Sequence, residues 1–196
     1  LNLGSYFVNV IFNEIQTIQN VGIISIPFAG SLFFSNCTFY KTSSLYSGLG
    51  NFAATGPRVN FNITNSKINN IVAPFIISFA GGNYNLENVE IRNNNHLIIV
   101  ATMTHSFYGN NILFEDNTRL LFTSNPDNRY GNEFILKNSL IKNNNEIVFF
   151  NGGVLQLVNN IFINNHVNEK IVWGISLWRS FDYLYGNIVN SLFPSF

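Results

Sequence analysis

The sequence predicts an all-β protein, a parallel β-helix solenoid of about eight coils with three short strands each. Three observations support this: an asparagine recurs every 22 to 29 residues, hydrophobic residues keep a fixed distance from it, and a further hydrophobic run closes most units. The 196 residues include 35 asparagines and 23 isoleucines, a bias that indicates low complexity or a repeated structural requirement. The constant phase of the hydrophobic residues favours the repeat.

The repeat is clearest in segments 88–94, 138–144 and 160–165, where isoleucine follows the leading asparagine by three residues. We call that asparagine position zero of its unit and number the other residues of the unit from it. Position zero is assigned to Asn9, Asn36, Asn65, Asn88, Asn111, Asn138, Asn160 and Asn187.

Two rows of hydrophobic residues recur at fixed positions and predict the inside of the stack, because strand side chains alternate between faces. Position plus three holds Phe12, Phe39, Ile68, Ile91, Phe114, Ile141 and Ile163. Position minus two holds Phe7, Phe34, Ile63, Leu86, Gly109, Leu136 and Val158. Position minus one, between them, is mostly polar and is expected to face outward.

A third hydrophobic run supplies the third strand of each unit. The runs are Ile23-Ile24, Phe75-Ile76-Ile77, Ile98-Ile99-Val100, Leu120-Leu121-Phe122, Ile147-Val148-Phe149 and Ile171-Val172-Trp173. Asparagine tolerates the left-handed backbone of a tight corner, which is expected at positions zero and plus five. Its side-chain amide can also bond to the same amide one coil away, which predicts Asn ladders along the axis.

Short glycine and asparagine motifs accompany the repeat. They are Gly81-Gly82 with Ile91-Arg-Asn-Asn94, Gly152-Gly153 with Phe162-Ile-Asn-Asn165, and Phe114-Glu-Asp-Asn117. These motifs resemble the repeats of chlamydial polymorphic outer-membrane proteins, which are autotransporter passenger adhesins. The predicted solenoid resembles the right-handed β-helices of the pectin-lyase-like superfamily over nearly the whole chain. The resemblance implies a right-handed β-helix and an adhesive or structural surface protein.

The composition of the chain limits the classes of partner that it is expected to bind. Ten basic and ten acidic residues give a net charge of zero, which argues against nucleic acid or an anionic membrane surface. The single cysteine, Cys37, excludes an intrachain disulfide and is expected to be a small buried core residue. No uninterrupted hydrophobic segment predicts a membrane span. We expect one domain over residues 1–196, either complete or a segment of a longer solenoid.

Catalytic residues are not predicted. Polysaccharide lyases and hydrolases need clustered carboxylates, but the three aspartates are scattered: Asp116, Asp127 and Asp182. Asp116 is at position plus five, where it is expected to replace a corner asparagine. The three histidines fall at unrelated positions and predict no metal site. We therefore expect no enzyme activity and no cofactor.

Charged residues at position plus four alternate in sign, as Arg92, Glu115 and Lys142. Two interpretations are open: a row of ion pairs between neighbouring units, or a carbohydrate-binding groove. We favour the ion pairs, because exposed opposite charges usually do no more than neutralise each other.

Two N-glycosylation sequons occur, at Asn36 and Asn62. Asn36 is expected to face inward in the ladder, whereas Asn62, at position minus three, is expected to face outward. If the protein is secreted by a eukaryote, Asn62 is the predicted glycosylation site.

Outward positions are more hydrophobic than a free surface requires. Position minus three holds Tyr6, Phe33, Tyr108, Ile135, Leu157 and Leu184, and position plus two holds Ile11, Leu113, Leu140 and Phe162. Either loops of the same chain, such as segment 41–57, cover these residues, or another chain packs against them.

The ends of the predicted solenoid lack the polar caps that such folds normally have. Phe7 and Phe12 begin the inward pattern, and Tyr183, Tyr185 and Ile188 continue it near the last residue. We expect these coils to stack on copies of the chain or on flanking repeats.

Three functions remain open on the sequence. The first is a non-enzymatic extracellular structural protein that self-assembles into a filament or surface layer. The second is an adhesin or glycan-binding segment of a larger cell-surface protein. The third, a polysaccharide lyase or hydrolase, is disfavoured by the missing carboxylate cluster.

Overall fold

The computed structural model is all-β over the residues that it describes, which are 4–17, 24–26, 29–44, 52–54, 58–72, 76–78, 82–95, 97–101, 106–118, 120–124, 133–145, 147–150, 154–166, 172–173 and 185–189. These residues contain 22 strands, and their strand pairs are all parallel. The predicted all-β class, with parallel strands, is confirmed.

The strands form three stacks in which each strand pairs with its equivalent in the next unit. The first stack runs in the order β1 (Gly4–Val8), β5 (Ala29–Ser35), β9 (Arg58–Thr64), β12 (Gly82–Arg92), β14 (Ser106–Glu115), β16 (Glu133–Lys137), β19 (Val154–Val158) and β22 (Tyr185–Val189). The second stack contains β2 (Ile11–Asn13), β6 (Thr38–Tyr40), β10 (Lys67–Asn69), β17 (Leu140–Lys142) and β20 (Ile161–Ile163). Strands β12 and β14 belong to both stacks, which makes them one 13-stranded sheet.

The third stack is a separate seven-stranded sheet. It contains β4 (Ile24–Ile26), β8 (Phe52–Ala54), β11 (Ile76–Ser78), β13 (Leu97–Ala101), β15 (Leu120–Ser124), β18 (Ile147–Phe150) and β21 (Val172–Trp173). Strands β3 (Gln16–Thr17) and β7 (Ser43–Ser44) form a further pair. Segment 41–57 was expected to be a loop, but it contains β7 and β8. Strand β8 is the third strand of the second unit and pairs within the seven-stranded sheet.

One left-handed residue turns the chain between the first and second stacks. Residues with φ between 49° and 58° occupy position zero: Asn9, Asn36, Asn65, Asn88, Asn111, Asn138 and Asn159. A second corner at position plus five has φ between 50° and 56° at Glu14, Lys41, Asn70, Asn93, Asp116, Asn143 and Asn164. The prediction of left-handed corners is confirmed, and so is the role of Asp116 in one of them.

The corners do not interrupt the hydrogen bonding between units. The backbone N–H of Asn65 donates to the carbonyl of Glu87 at 2.9 Å, and that of Asn93 donates to the carbonyl of Glu115 at 3.1 Å. Each left-handed residue therefore changes the direction of the chain while its backbone amide stays hydrogen-bonded to the next unit, as backbone groups in buried parallel sheets require.

The core lies inside the corners and matches most of the predicted inward row. The buried members at position plus three are Phe12, Phe39, Ile68, Ile91, Phe114 and Ile141. Aromatic rings continue between units: Phe12 stacks on Phe39 with centroids 4.8 Å apart, and Phe107 stacks on Phe134 at 4.7 Å. Equivalent side chains meet because the strands pair without a register shift.

The predicted register of unit seven is wrong by one residue. Position zero is Asn159 rather than Asn160, because Ile141 pairs with Phe162. Phe162 is therefore buried, whereas Ile163 faces outward. The same shift buries Leu157, which was expected to be outward, and Asn165 moves from position plus five to plus six.

The last strand also differs from its predicted register. Ile188 pairs with Leu157, Asn187 pairs with Gln156, and Tyr185 pairs with Val154. Asn187 is therefore not a position-zero residue. Ile188 shares the backbone register of the inward row, but Tyr185 does not, which corrects its predicted inward position. Tyr183 and Leu184 lie outside the described residues.

Candidate functional site

A buried ladder of asparagine amides runs through the core at position plus six. Its members are Asn94, Asn117, Asn144 and Asn165. Each Nδ2 donates to the Oδ1 of the next member, at 2.9 Å from Asn94 and 2.8 Å from Asn117. Each Oδ1 also accepts the backbone N–H of the preceding unit, as from Asn94 to Asn117 at 3.1 Å. The polar groups are satisfied inside a core that excludes water.

This buried ladder was missed from the sequence. Runs such as Asn93-Asn94-Asn95 offer three asparagines in a row, and the sequence does not show which of them faces inward. The left-handed corner at Asn93 decides it, since the next residue then points into the core. The fixed distance of one residue after the corner is the signal that identifies it.

A second ladder lies on the outside, at position zero. Nδ2 donates toward the preceding unit, from Asn36 to Asn9 at 2.7 Å, from Asn88 to Asn65 at 3.1 Å, and from Asn111 to Asn88 at 2.8 Å. The predicted Asn ladder is thus present, but its residues are exposed, and the expectation that Asn36 faces inward is wrong. The cause is the left-handed corner, which points its own side chain to solvent.

A shallow groove of about 680 Å³ follows this outer ladder across four units. One wall is the amide row, with Asn88, Asn111 and Asn138, and the other includes Leu113 and Leu140 at position plus two. The groove combines regular amides with aliphatic side chains, and Glu90 supplies its charge. It contains no arrangement of nucleophile and base.

The charged residues of the second stack pair with one another. Glu115 lies between Arg92 and Lys142, at 3.0 Å from Arg92 Nη1 and 2.6 Å from Lys142 Nζ. Glu115 Oε2 has no hydrogen-bond partner among the described residues, so its contact with Arg92 is electrostatic. Glu90 lies 3.7 Å from Lys67. The predicted row of ion pairs is confirmed, which leaves Arg92, Glu115 and Lys142 engaged with each other.

A further pair joins Lys41 and Glu14 at the corner of the first two units, with 3.1 Å between Nζ and Oε1. The hydrogen bond from Lys41 Nζ to Glu14, aided by nearby Tyr40, raises the pKa of Lys41 above its ordinary value. Both side chains are exposed, so the pair is screened by water.

Of the hydrophobic residues predicted to face outward, the two in the first unit are largely exposed to solvent. Tyr6 is 69% exposed and Ile11 is 72% exposed, while Phe33, Tyr108 and Ile135 are half-buried. Phe7 is half-buried and Phe12 is nearly covered. Unit seven adds Ile161 and Ile163 to the exposed set. Whether any of these residues contacts another chain stays a prediction.

The two sequons both reach the surface. Asn62 is half-buried on the outer face of β9, and Asn36 is exposed at its corner. Exposure therefore does not separate them as expected. The amide of Asn36 is bonded to Asn9, whereas that of Asn62 makes no hydrogen bond to a described residue, so Asn62 remains the candidate for glycosylation.

Cys37 is buried at position plus one, as predicted. Its Sγ lies 3.4 Å from the carbonyl oxygens of Phe7 and Ser35, in the interior of the first stack. In the described part of the chain, His, Cys, Asp and Glu side chains do not gather in threes, as a metal site requires. Those residues also contain no helix with the length and hydrophobicity of a membrane span.

No protein-family model, curated protein or solved structure matches the chain.

Proposed function

We propose that the chain is a right-handed parallel β-helix that works as a non-enzymatic structural protein and assembles with copies of itself into a fibre or surface layer outside the cell. The main support is the bonding between units. Parallel strands join each described unit to the next at a repeat of about 4.8 Å, and the two asparagine ladders add side-chain hydrogen bonds between several of these units. A second copy presents the same repeat, so lateral or end-to-end contact keeps its register over many units.

Exposed hydrophobic side chains support the assembly. Ile11, Ile161 and Ile163 face outward on the second stack, at both ends of its charged middle part. Their burial between two molecules would release ordered water without breaking the ion pairs of Glu115. The contact is expected to be mainly apolar.

Negative-stain microscopy and sedimentation velocity test the assembly. We expect filaments or sheets that persist from about 0.1 M to about 1 M salt, because apolar contacts are not screened. An unsubstituted protein that sediments as one monomeric species at every concentration contradicts the proposal.

Three variants separate the two modes of contact. Ile11→Asp and Ile161→Asp are expected to weaken lateral contact, whereas Tyr185→Asp, on the last described strand, tests end-to-end stacking. Asn13→Asp is the matched control, because it adds the same charge to the exposed face of β2 without removing a hydrophobic side chain. If Asn13→Asp dissociates the assembly as strongly as Ile11→Asp, added charge and not lost apolar contact is the cause.

A further inference from the structure

The outer face of the second stack carries three rows of side chains that line up from unit to unit, because its strands pair without a register shift. From unit one to unit six, position plus two holds Ile11, Thr38, Lys67, Glu90, Leu113 and Leu140. Position plus four holds Asn13, Tyr40, Asn69, Arg92, Glu115 and Lys142. The corner row at position plus five borders the face with Glu14, Lys41, Asn70, Asn93, Asp116 and Asn143.

Several charged side chains of this face are open to solvent, although most of them pair with a neighbour. Lys67 is 63% exposed and Glu90 is 42% exposed, and the two are 3.7 Å apart. Lys41 is also exposed beside Glu14. Asp116 is exposed and forms no ion pair with a residue that the structure describes. An ammonium group has three donors and a carboxylate has two acceptor oxygens, so each group can also contact a charge on a second molecule.

A two-fold axis parallel to the strands, placed between units three and four, brings two such faces together with their rows aligned. Unit three of one copy then lies opposite unit four of the other, unit two opposite unit five, and unit one opposite unit six. Lys67 meets Glu90 of the second copy, and Lys41 meets Asp116 of the second copy. Because the contact is isologous, each of these pairs occurs twice.

The other facing positions are compatible with the same arrangement. In the row at position plus four, polar uncharged side chains face the charged ones, as Asn69 faces Arg92 and Tyr40 faces Glu115. Ile11 faces Leu140, which adds an apolar contact at each end. In these three rows, like charges are never directly opposite each other.

The neighbouring arrangements are electrostatically worse. Sliding one copy by one unit in one direction places Glu90 opposite Glu90 and Arg92 opposite Arg92. Sliding it by one unit in the other direction places Lys67 opposite Lys67. Like charges held together across a contact oppose association, so the charge pattern selects one register.

We propose that two copies of the chain dock face to face through the outer face of the second stack, with antiparallel stack axes and a two-fold axis between units three and four. This inference rests on the proposed self-association and names its surface and its symmetry. Six units at about 4.8 Å give a contact about 29 Å long and only one strand wide, which places it among weak interfaces. Ile161 and Ile163 in unit seven extend beyond the contact and stay open to further copies.

Sedimentation velocity of charge-reversed variants tests the register, at about 0.05 M salt, where exposed charges are little screened. Lys67→Glu and Glu90→Lys are each expected to weaken the dimer at least about tenfold, because each places like charges opposite each other. An equal mixture of the two variants is expected to form a heterodimer about as stable as the unsubstituted dimer, since every contact between them then joins opposite charges. Each variant has lost its own pair between positions 67 and 90, so repair within one chain cannot cause this rescue.

Two further variants check the position of the contact. Glu87→Lys makes the same charge reversal on the same strand, β12, but on the outer face of the first stack, and is expected to leave the dimer unchanged. Asp116→Asn keeps a residue that suits the left-handed corner and is expected to weaken the dimer several-fold through loss of the contact with Lys41.

Circular dichroism shows whether each variant is folded. A mixture that associates no better than its two components, or single variants that associate as well as the unsubstituted protein, would overturn this arrangement. Filaments that persist in such variants would leave the proposed assembly intact and place its contacts elsewhere. An unsubstituted protein that stays monomeric contradicts both proposals. At about 1 M salt, the differences between the variants are expected to shrink, because exposed charges are then screened.

Discussion

Asn117 illustrates how a polar residue stabilises the interior of this protein. Its Oδ1 accepts from the backbone N–H of Asn94 and from Asn94 Nδ2, and its Nδ2 donates to the carbonyl of Ile91 and to Asn144 Oδ1. All four groups are buried, so none can turn to water if Asn117 is removed.

Asn117→Ala is therefore expected to lower the free energy of unfolding by about 3 kcal/mol, because each buried group left unpaired costs about 1 to 3 kcal/mol. Asn111→Gly is the control: it removes an exposed ladder amide but keeps a residue that tolerates φ near 53°, and should cost about 1 kcal/mol or less. Urea denaturation measures both. Equal losses would show that burial of the ladder is unimportant.

Gly109 interrupts the inward row at position minus two, where neighbouring units have Leu86 and Leu136. A Cβ at Gly109 would lie 2.8 Å from Leu136 Cδ1 and 3.0 Å from Phe107 Cε1. The space that a side chain would need is already filled by neighbouring residues.

Gly109→Leu, which restores the row, is therefore expected to destabilise the protein by about 1 to 3 kcal/mol through overpacking. Leu86→Ile, in the same row of the preceding unit, changes shape without adding volume and should cost less than about 1.5 kcal/mol. The midpoint of thermal unfolding compares the two. A more stable Gly109→Leu protein would mean that the core there is underfilled.

Strands and corners were predictable to different degrees. The regular spacing of the hydrophobic residues located the stacks and identified buried residues such as Phe39 and Ile91. In a strand whose side chains alternate between two faces, only the hydrophobic face can point into the core. It failed at Asn159-Asn160, where either residue satisfies the corner and only the pairing of Phe162 decides. The unbonded amide of Asn62 was not predictable, since ladder formation depends on side-chain geometry that the sequence does not encode locally.

The ion pairs of the second stack join adjacent strands. Glu115 is mostly buried, at 12% side-chain exposure, but its partners Arg92 and Lys142 reach water. Glu115→Gln is expected to cost about 1 to 2 kcal/mol, less than the loss from a fully buried pair.

Glu14→Gln provides the comparison, since the pair with Lys41 is exposed on both sides and should contribute less to stability than the pairs of Glu115. Urea denaturation at low and high salt measures the two variants. The cost of Glu115→Gln should fall only partly in high salt, because a half-buried pair is less screened. If the cost of Glu115→Gln disappears entirely in high salt, the carboxylate of Glu115 is as exposed to solvent as an ordinary surface group.

Along the described residues, the same strand pairing repeats from one unit to the next. A protein of this kind gains stability from each unit and from each interface between neighbours, without requiring one particular unit. Assembly between copies would use the same repeat, because a second molecule presents strands at the same spacing.

Removal of one whole unit, residues 88–110, tests this modularity. The deletion joins Glu87 to Asn111, so that Asn111 follows Asn65 as position zero. Ile68 would then pair with Phe114 in place of Ile91, and the core row would stay continuous. We expect a folded β protein whose urea m-value decreases with the smaller buried surface.

Deletion of one more residue, 88–111, is the matched control. It places Ile112 at the left-handed corner, where a β-branched side chain is strongly disfavoured, and turns Glu115 into the inward row at position plus three. A one-residue shift exchanges the inner and outer faces of the following strand. We therefore expect the shorter deletion to fold and the longer one to aggregate or remain unfolded in circular dichroism and sedimentation. If both fold equally well, the phase relative to position zero does not determine which side chains form the core, and the segment from one position-zero residue to the next is not the unit of the structure.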